Sequence, residues 1–168
     1  MRNGLEQSLL EKITDKPTLK AKMAEWRANG KKVVFTNGVF DLLHIGHITY
    51  MVKAAELGDK LIIGLNSDAS VKRLKGEDRP VNGQDSRAML LAALFFIDAI
   101  VVFEEDTPQQ LIADLLPDIL VKGADYSIEN IAGAKEVLTN GGEVKIIQLV
   151  EGHSSTSIIQ KIKDKAGK

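Results

Sequence analysis

The sequence predicts an α/β protein: a Rossmann-like, doubly wound parallel sheet of five strands with helices on both faces, preceded by a helical extension. Three observations predict it. Short runs rich in Val and Ile recur along the chain, amphipathic segments of helical period separate them, and glycine turns stand at several of the changes. Strands that alternate with helices imply right-handed βαβ units and therefore one parallel sheet.

The elements follow in order. Leu5, Leu9, Leu10 and Ile13 fall on one face of a first helix. Leu19, Met23 and Trp26 mark a second, with Pro17 and Thr18 as start signals and Gly30 as its stop. Residues 1–30 thus read as an N-terminal helical extension, and 31–168 as one domain. Buried strands are expected at 32–36, 61–66, 99–103, 119–122 and 144–149. Between them lie helical patterns: Ile48, Met51, Val52 and Ala55, then 87–96, 108–116, a short piece at 134–138, and a last helix at 155–165. No internal repeat, low-complexity tract or linker interrupts this order.

Composition sets the function classes. The 168 residues suffice for one domain, one that buries roughly 70% of its unfolded surface. With 44% hydrophobic and 27% charged residues the chain reads as an ordinary soluble globular protein. A net charge of −1 gives no basic excess for nucleic acid. The absence of cysteine excludes disulfides, thiolate metal sites and a cysteine nucleophile. Charges spread through the first residues leave no apolar signal core, and no run has the length to span a bilayer. The expectation is a cytoplasmic enzyme or binding domain without membrane or nucleic-acid partners.

Ligands of such sheets bind at the carboxyl ends of the strands, where the strand order reverses. The stretch FTNGVFDLLHIGHITY, residues 35–50, sits at such an end, between the first long strand and the first core helix. It is neither a P-loop nor a G-x-G-x-x-G fingerprint. His44 and His47, three apart, lie side by side on a helix face. Three readings stand: zinc ligation, which wants three or four ligands where only His153 remains as a further histidine; structural histidines at a helix start; or imidazoles aimed at an anion. Gly46 between them favours the last, since a missing side chain lets a phosphate or flat ring approach the backbone. At the far end, Ser154, Ser155, Thr156 and Ser157 offer capping hydroxyls and a positive helix terminus.

The motif T-x-G-x-F-D-x-x-H-x-G-H, here Thr36, Gly38, Phe40, Asp41, His44, Gly46 and His47, resembles that of the cytidylyltransferase-like nucleotidyltransferases. The segment EGHSSTSII, residues 151–159, resembles the phosphate-binding G-x-S-T-[ST] element of the same family. Across about residues 10–163, the order and spacing of LNSDASVKRLKGEDRPVNG, FEEDTPQQLIADLLPDILVKGADY and GGEVKIIQLV are similar to the branch that adenylylates heptose 1-phosphate. Val39 departs from it, standing where relatives often carry cysteine.

The resemblance implies a reaction and a set of roles. ATP and D-glycero-D-manno-heptose 1-phosphate would give pyrophosphate and ADP-heptose, a precursor of the lipopolysaccharide core. A cytidylyltransferase acting on another small phosphorylated alcohol, such as glycerol 3-phosphate, is the alternative, and a non-catalytic nucleotide sensor is a third reading. His44 and His47 would meet the α-phosphate, and Lys72 would be a mobile lysine, so that Lys72→Ala costs more than Lys75→Ala. Thr36, Asn37, Gly38, Phe40 and Gly46 would shape the phosphate loop. Lys122, Gly123, Asp125 and Tyr126 would border adenine and ribose, while Ser154, Ser155, Thr156, Ser157 and His153 would lie near phosphates. Asp41, Arg79 and Arg87 are candidates for contacts to the substrate, with the alternatives of magnesium or His44 for Asp41 and of a structural capping role for Arg87. Mg²⁺ would be the cofactor, held mainly through ATP phosphates with no protein ligand assigned. A homodimer or higher homo-oligomer is the expected assembly, by analogy with relatives.

Overall fold

A computed structural model describes residues 4–123, 130–148, 152 and 154–166. A short helix α1 (Leu5–Leu10) leads into a two-residue strand β1 (Ile13–Thr14) and then helix α2 (Lys16–Ala28). Asp15 caps α2 by accepting from the Thr18 N–H at 2.8 Å, with Pro17 in the first turn. Gly30, at φ 69°, follows the end of that helix.

The remaining elements alternate, except that two helices follow the strand Lys60–Asn66, and the first of them was not among the expected segments. They are β2 (Val33–Gly38), α3 (Ile45–Ala55), β3 (Lys60–Asn66), α4 (Asp68–Lys75), α5 (Gln84–Ala92) and β4 (Ala99–Phe103). Then come α6 (Gln109–Leu115), β5 (Ile119–Gly123), α7 (Ala134–Thr139), β6 (Glu143–Ile147) and α8 (Ser155–Ala166). All five expected strands are present, and β1 adds a sixth. Ile13 does not continue the first helix: it pairs with Ile100 of β4 at the sheet edge. The N-terminal segment is also not merely peripheral, since Leu19 and Met23 are fully buried in the core.

The sheet is parallel throughout, in the order β1-β4-β3-β2-β5-β6. Alternation of side chains sends Val33, Phe35 and Leu120 to one face, under α2, α6 and α7. Val34, Ile119 and Val121 go to the other, where Met51 and Ala54 of α3 and Ala88 and Leu91 of α5 cover them. Two apolar layers on one sheet make this a doubly wound fold.

The chain order reverses between β2 and β5. Backbone pairing there covers only Val34 with Ile119 and Phe35 with Leu120, although both strands run on to Gly38 and Gly123. By contrast, β2 stays paired with β3 all the way to Gly38–Leu65. The sheet therefore splits at its switch point, and a crevice of about 660 Å³ opens over the carboxyl ends of the strands.

Candidate active site

The β2–α3 loop is the best-anchored wall of this crevice. Gly38 has no room for a side chain, because a Cβ there would stand 2.9 Å from the Phe40 ring. Phe40 itself turns through φ 46°, an uncommon conformation for a bulky residue, and is buried. Its ring meets His47 edge-on at 5.2 Å. Thr36 lies fully buried beneath, its hydroxyl 2.8 Å from that of Tyr50, so it braces α3 rather than facing the crevice.

Asp41, in the crevice wall, and Arg87 are both held by contacts within the protein. Asp41 is 1% exposed and accepts from Arg79 Nε at 2.7 Å and from the backbone N–H groups of Val81 and Asn82. Burial pushes its carboxyl up, but those N–H groups and the Arg79 guanidinium outweigh this and hold it below the usual carboxylate range. Arg87 is wholly buried and spends its guanidinium on Asn82 O, Val39 O and Asp68 Oδ1. Together they clamp the 76–83 loop onto the β2–α3 loop. Arg79, 15% exposed, keeps a face on the crevice.

His44 and His47 come together at the start of α3, in the crevice wall, with ring centroids 3.8 Å apart and planes at 21°. No side chain caps this helix start, so its N-terminal N–H groups face outward with the dipole behind them. Burial, followed by the neighbouring His44, pushes His47 down to about 4, and a hydrogen bond to the Leu42 backbone only partly opposes this. His47 is thus neutral at pH 7, with its Nδ1 buried and unpartnered.

The start of α8 faces α3. Ser154 and Ser157 cap each other: Ser154 Oγ accepts from the Ser157 N–H at 3.0 Å, and Ser157 Oγ lies 3.3 Å from the Ser154 N–H. Ser157 is spent on that cap and does not line the crevice, unlike Ser154, Ser155 and Thr156. Ser155 Oγ donates to Leu42 O at 3.0 Å, tying α8 to the histidine loop.

On α4 the structure turns Lys75, not Lys72, to the crevice; Lys72 is exposed and outside its lining. Lys75 is the last residue of this two-turn helix, and its place at the helix end beside Leu74, not a different helix face, brings it to the crevice. Arg73 is committed to Asp106 Oδ1 at 2.7 Å. Lys122 and Gly123 line the β5 side. Asp125, Tyr126 and His153 lie outside the described residues. Sequence reasoning missed Tyr50, Asn66, Asp106, Thr107 and Asn130, which also line the crevice. Asn66, Asp106 and Thr107 stand at or just beyond the ends of β3 and β4, a position that was the one available signal.

The comparisons agree with this geometry. A family model described as cytidylyltransferase-like matches residues 35–161. The chain is 56% identical over 155 residues to the bifunctional protein HldE of Yersinia enterocolitica, and 55% identical to that of Yersinia pestis. Those matches cover 92% of this chain and 33% of each relative, so the chain spans about a third of their length. Among solved structures, a lipopolysaccharide core biosynthesis protein from Thermoplasma volcanium superposes with a TM-score of 0.58 at 29% identity. It covers 74% of this chain and 100% of its own. Pantoate-beta-alanine ligase from Francisella tularensis, complexed with beta-gamma ATP and beta-alanine, shares the fold at a TM-score of 0.57 and 14% identity. It covers 90% of this chain and 76% of its own. With its stacked histidines at a helix start over a split parallel sheet, the chain belongs to the cytidylyltransferase-like family.

Proposed function

We propose that the protein is an adenylyltransferase that joins the AMP of ATP to D-glycero-D-manno-heptose 1-phosphate, releasing pyrophosphate. The observation that carries this reading is convergence. Two helix starts, α3 and α8, and two imidazoles face one crevice at the sheet's switch point, an arrangement suited to several phosphates at once. The 56% identity to HldE along nearly the whole chain supports the heptose acceptor over glycerol 3-phosphate.

The chemistry needs no protein nucleophile. A sugar phosphate has a second pKa near 6, so it is largely dianionic at neutral pH. One of its oxygens attacks the α-phosphorus, the new P–O bond forms, and the bond to the bridging oxygen breaks with pyrophosphate taking the electron pair. The protein's task is to align two anions and neutralise charge at the α-phosphate. His47 is placed for this in the crevice wall at the start of α3, and a phosphate beside its neutral ring supplies the field that favours taking up a proton. His44, stacked beside it, serves the same phosphate.

Lys75 bridges the phosphates from α4, and Ser154, Ser155 and Thr156 hold them from α8. Asn66, Asp106 and Thr107 offer groups for acceptor hydroxyls. Mg²⁺ fits as a passenger on the triphosphate. Asp41 has no oxygen to spare, Asp106 is paired with Arg73, and no cluster of three metal-ligating side chains forms among the described residues.

A panel of four nucleoside triphosphates against heptose 1-phosphate, glycerol 3-phosphate and ethanolamine phosphate tests the reading, with the joined product identified by mass. ADP-heptose is the expected product; a CDP-alcohol, or no pyrophosphate from any pair, would reject it.

A further inference from the structure

Lys122 stands out among the cations of the molecule. Most of the others near a cavity are neutralised. Arg79 has Asp41, Arg73 has Asp106, and at the opposite end of the sheet Lys31 has Asp59 and Lys32 has Glu143. Lys122 lines the crevice and is half-buried, yet among the described residues its partner is a neutral one, the Asn37 side-chain oxygen. A buried ammonium without an opposite charge is costly unless a ligand provides one.

Its position is fixed by the strand pattern. Phe35 and Leu120 are the last backbone pair before the sheet splits, and Asn37 and Lys122 follow each by two residues. Their side chains therefore project to the same face, and the Lys122–Asn37 hydrogen bond bridges the open split where main-chain pairing has stopped. Asn37 is itself held: opposite it in β3 is Gly64, where a Cβ would stand 3.1 Å from the Asn37 Cβ and 2.6 Å from the Phe35 ring. The ammonium is thus preset at the floor of the crevice, close to where β2 hands over to the histidine loop.

We propose that Lys122 is the resident counter-charge for the nucleotide's phosphates, and that it grips phosphate rather than adenine or ribose. This inference rests on the nucleotidyl-transfer reading above. It gives the protein a fixed cation at the split to complement Lys75 on the exposed helix α4, and it accounts for a half-buried ammonium with no carboxylate partner among the described residues. Burial pushes Lys122 down to about 8.

Binding of ATP, adenosine and inorganic pyrophosphate to wild type, Lys122→Met and Lys122→Arg tests it. Lys122→Met keeps the length and apolar stem of the side chain and deletes the charge. ATP and pyrophosphate affinity should fall tenfold or more while adenosine affinity stays constant, and Lys122→Arg should restore most of the loss. Equal losses for ATP and adenosine would place Lys122 at the base or ribose. Unchanged affinities would make it a structural lysine. Either outcome overturns the proposal.

If Lys122→Met does not fold, the wild-type protein gives the answer. ATP affinity should fall as pH rises above about 8, with adenosine affinity flat. Among the described residues, the other charged or titratable groups facing the crevice are His44, His47 and Tyr50 of the α3 region, Lys75 of α4, Arg79, Asp41 and Asp106. Lys75→Ala should retain the alkaline fall, which separates the two lysines; a flat ATP profile would end the proposal. Pyrophosphate release by the same preparation distinguishes failure of this assignment from failure of the adenylyl reading.

Discussion

Two cavities lie at opposite ends of the same sheet, and their charges are treated in opposite ways. The smaller, about 480 Å³, sits at the amino ends of β2, β5 and β6. Its cations are answered locally: Arg27 donates to the Leu115 and Leu116 carbonyls, Lys31 pairs with Asp59 and Lys32 with Glu143. The larger one, at the carboxyl ends, turns Lys75 and Lys122 to its interior without carboxylate partners among the described residues, beside the stacked histidine pair. The difference teaches where function sits. Two lysines without a carboxylate among the described residues, beside a histidine pair in one crevice, suit an anion.

The comparison breaks most sharply at the histidines. A preorganised donor to transition-state charge is worth about 10²–10³ in rate, roughly 3–4 kcal/mol. His44→Ala and His47→Ala should each lower kcat by that factor while the ATP Kd changes little, measured by pyrophosphate release and calorimetry. A melting temperature that drops with normal activity per folded molecule would mean structural histidines.

The buried Arg87 comes next. It does not line the carboxyl-end cavity but holds the loops that form its wall. Arg87→Met strands the Val39 and Asn82 carbonyls and should cost about 2–3 kcal/mol of unfolding free energy, read from chemical denaturation. Activity per folded molecule should fall less than stability does.

The exposed lysines sharpen the picture on a smaller scale. Lys75→Ala should raise the KM for ATP about tenfold, about 1.4 kcal/mol, and Lys72→Ala by much less. The reverse ranking would restore the assignment that the sequence alone made.

The pH dependence of stability carries a defined sign. His47 titrates near 6.5 unfolded and about 4 folded, so between those values the unfolded chain binds the extra proton. Stability should decline as pH falls through that window, and His47→Gln should flatten the decline in denaturant titrations.

The smallest effect belongs to the other end of the molecule. Lys32→Ala removes an exposed pair and should change stability by less than about 0.5 kcal/mol and kcat not at all.

Much of the fold was legible because burial writes itself as runs of Val and Ile, which placed β2 to β6 within a few residues. The strand β1 was not, since Ile13 and Thr14 form only two residues of edge pairing and Ile13 also fits a helical period. The site divides in the same way. His44, Gly46, His47 and the serines are contiguous, and local spacing revealed them. The internal partners of Asp41 and Arg87 were not legible because they stand up to 48 residues away in sequence, a distance across which no periodicity speaks. Asn66, Asp106 and Thr107 are single polar residues at or just past strand ends, visible only once the strands are aligned. On α4, Lys72 and Lys75 share a helix face, so spacing alone does not tell which of them reaches the crevice.

The central claim, that this crevice cluster transfers AMP to a sugar phosphate, is tested most directly by initial rates of pyrophosphate release with heptose 1-phosphate as acceptor. ATP should be used with a kcat/KM at least about tenfold above that for CTP, a transition-state preference of at least roughly 1.4 kcal/mol. A preference for CTP would contradict the adenylyl assignment, and the absence of pyrophosphate with either nucleotide would contradict the account as a whole.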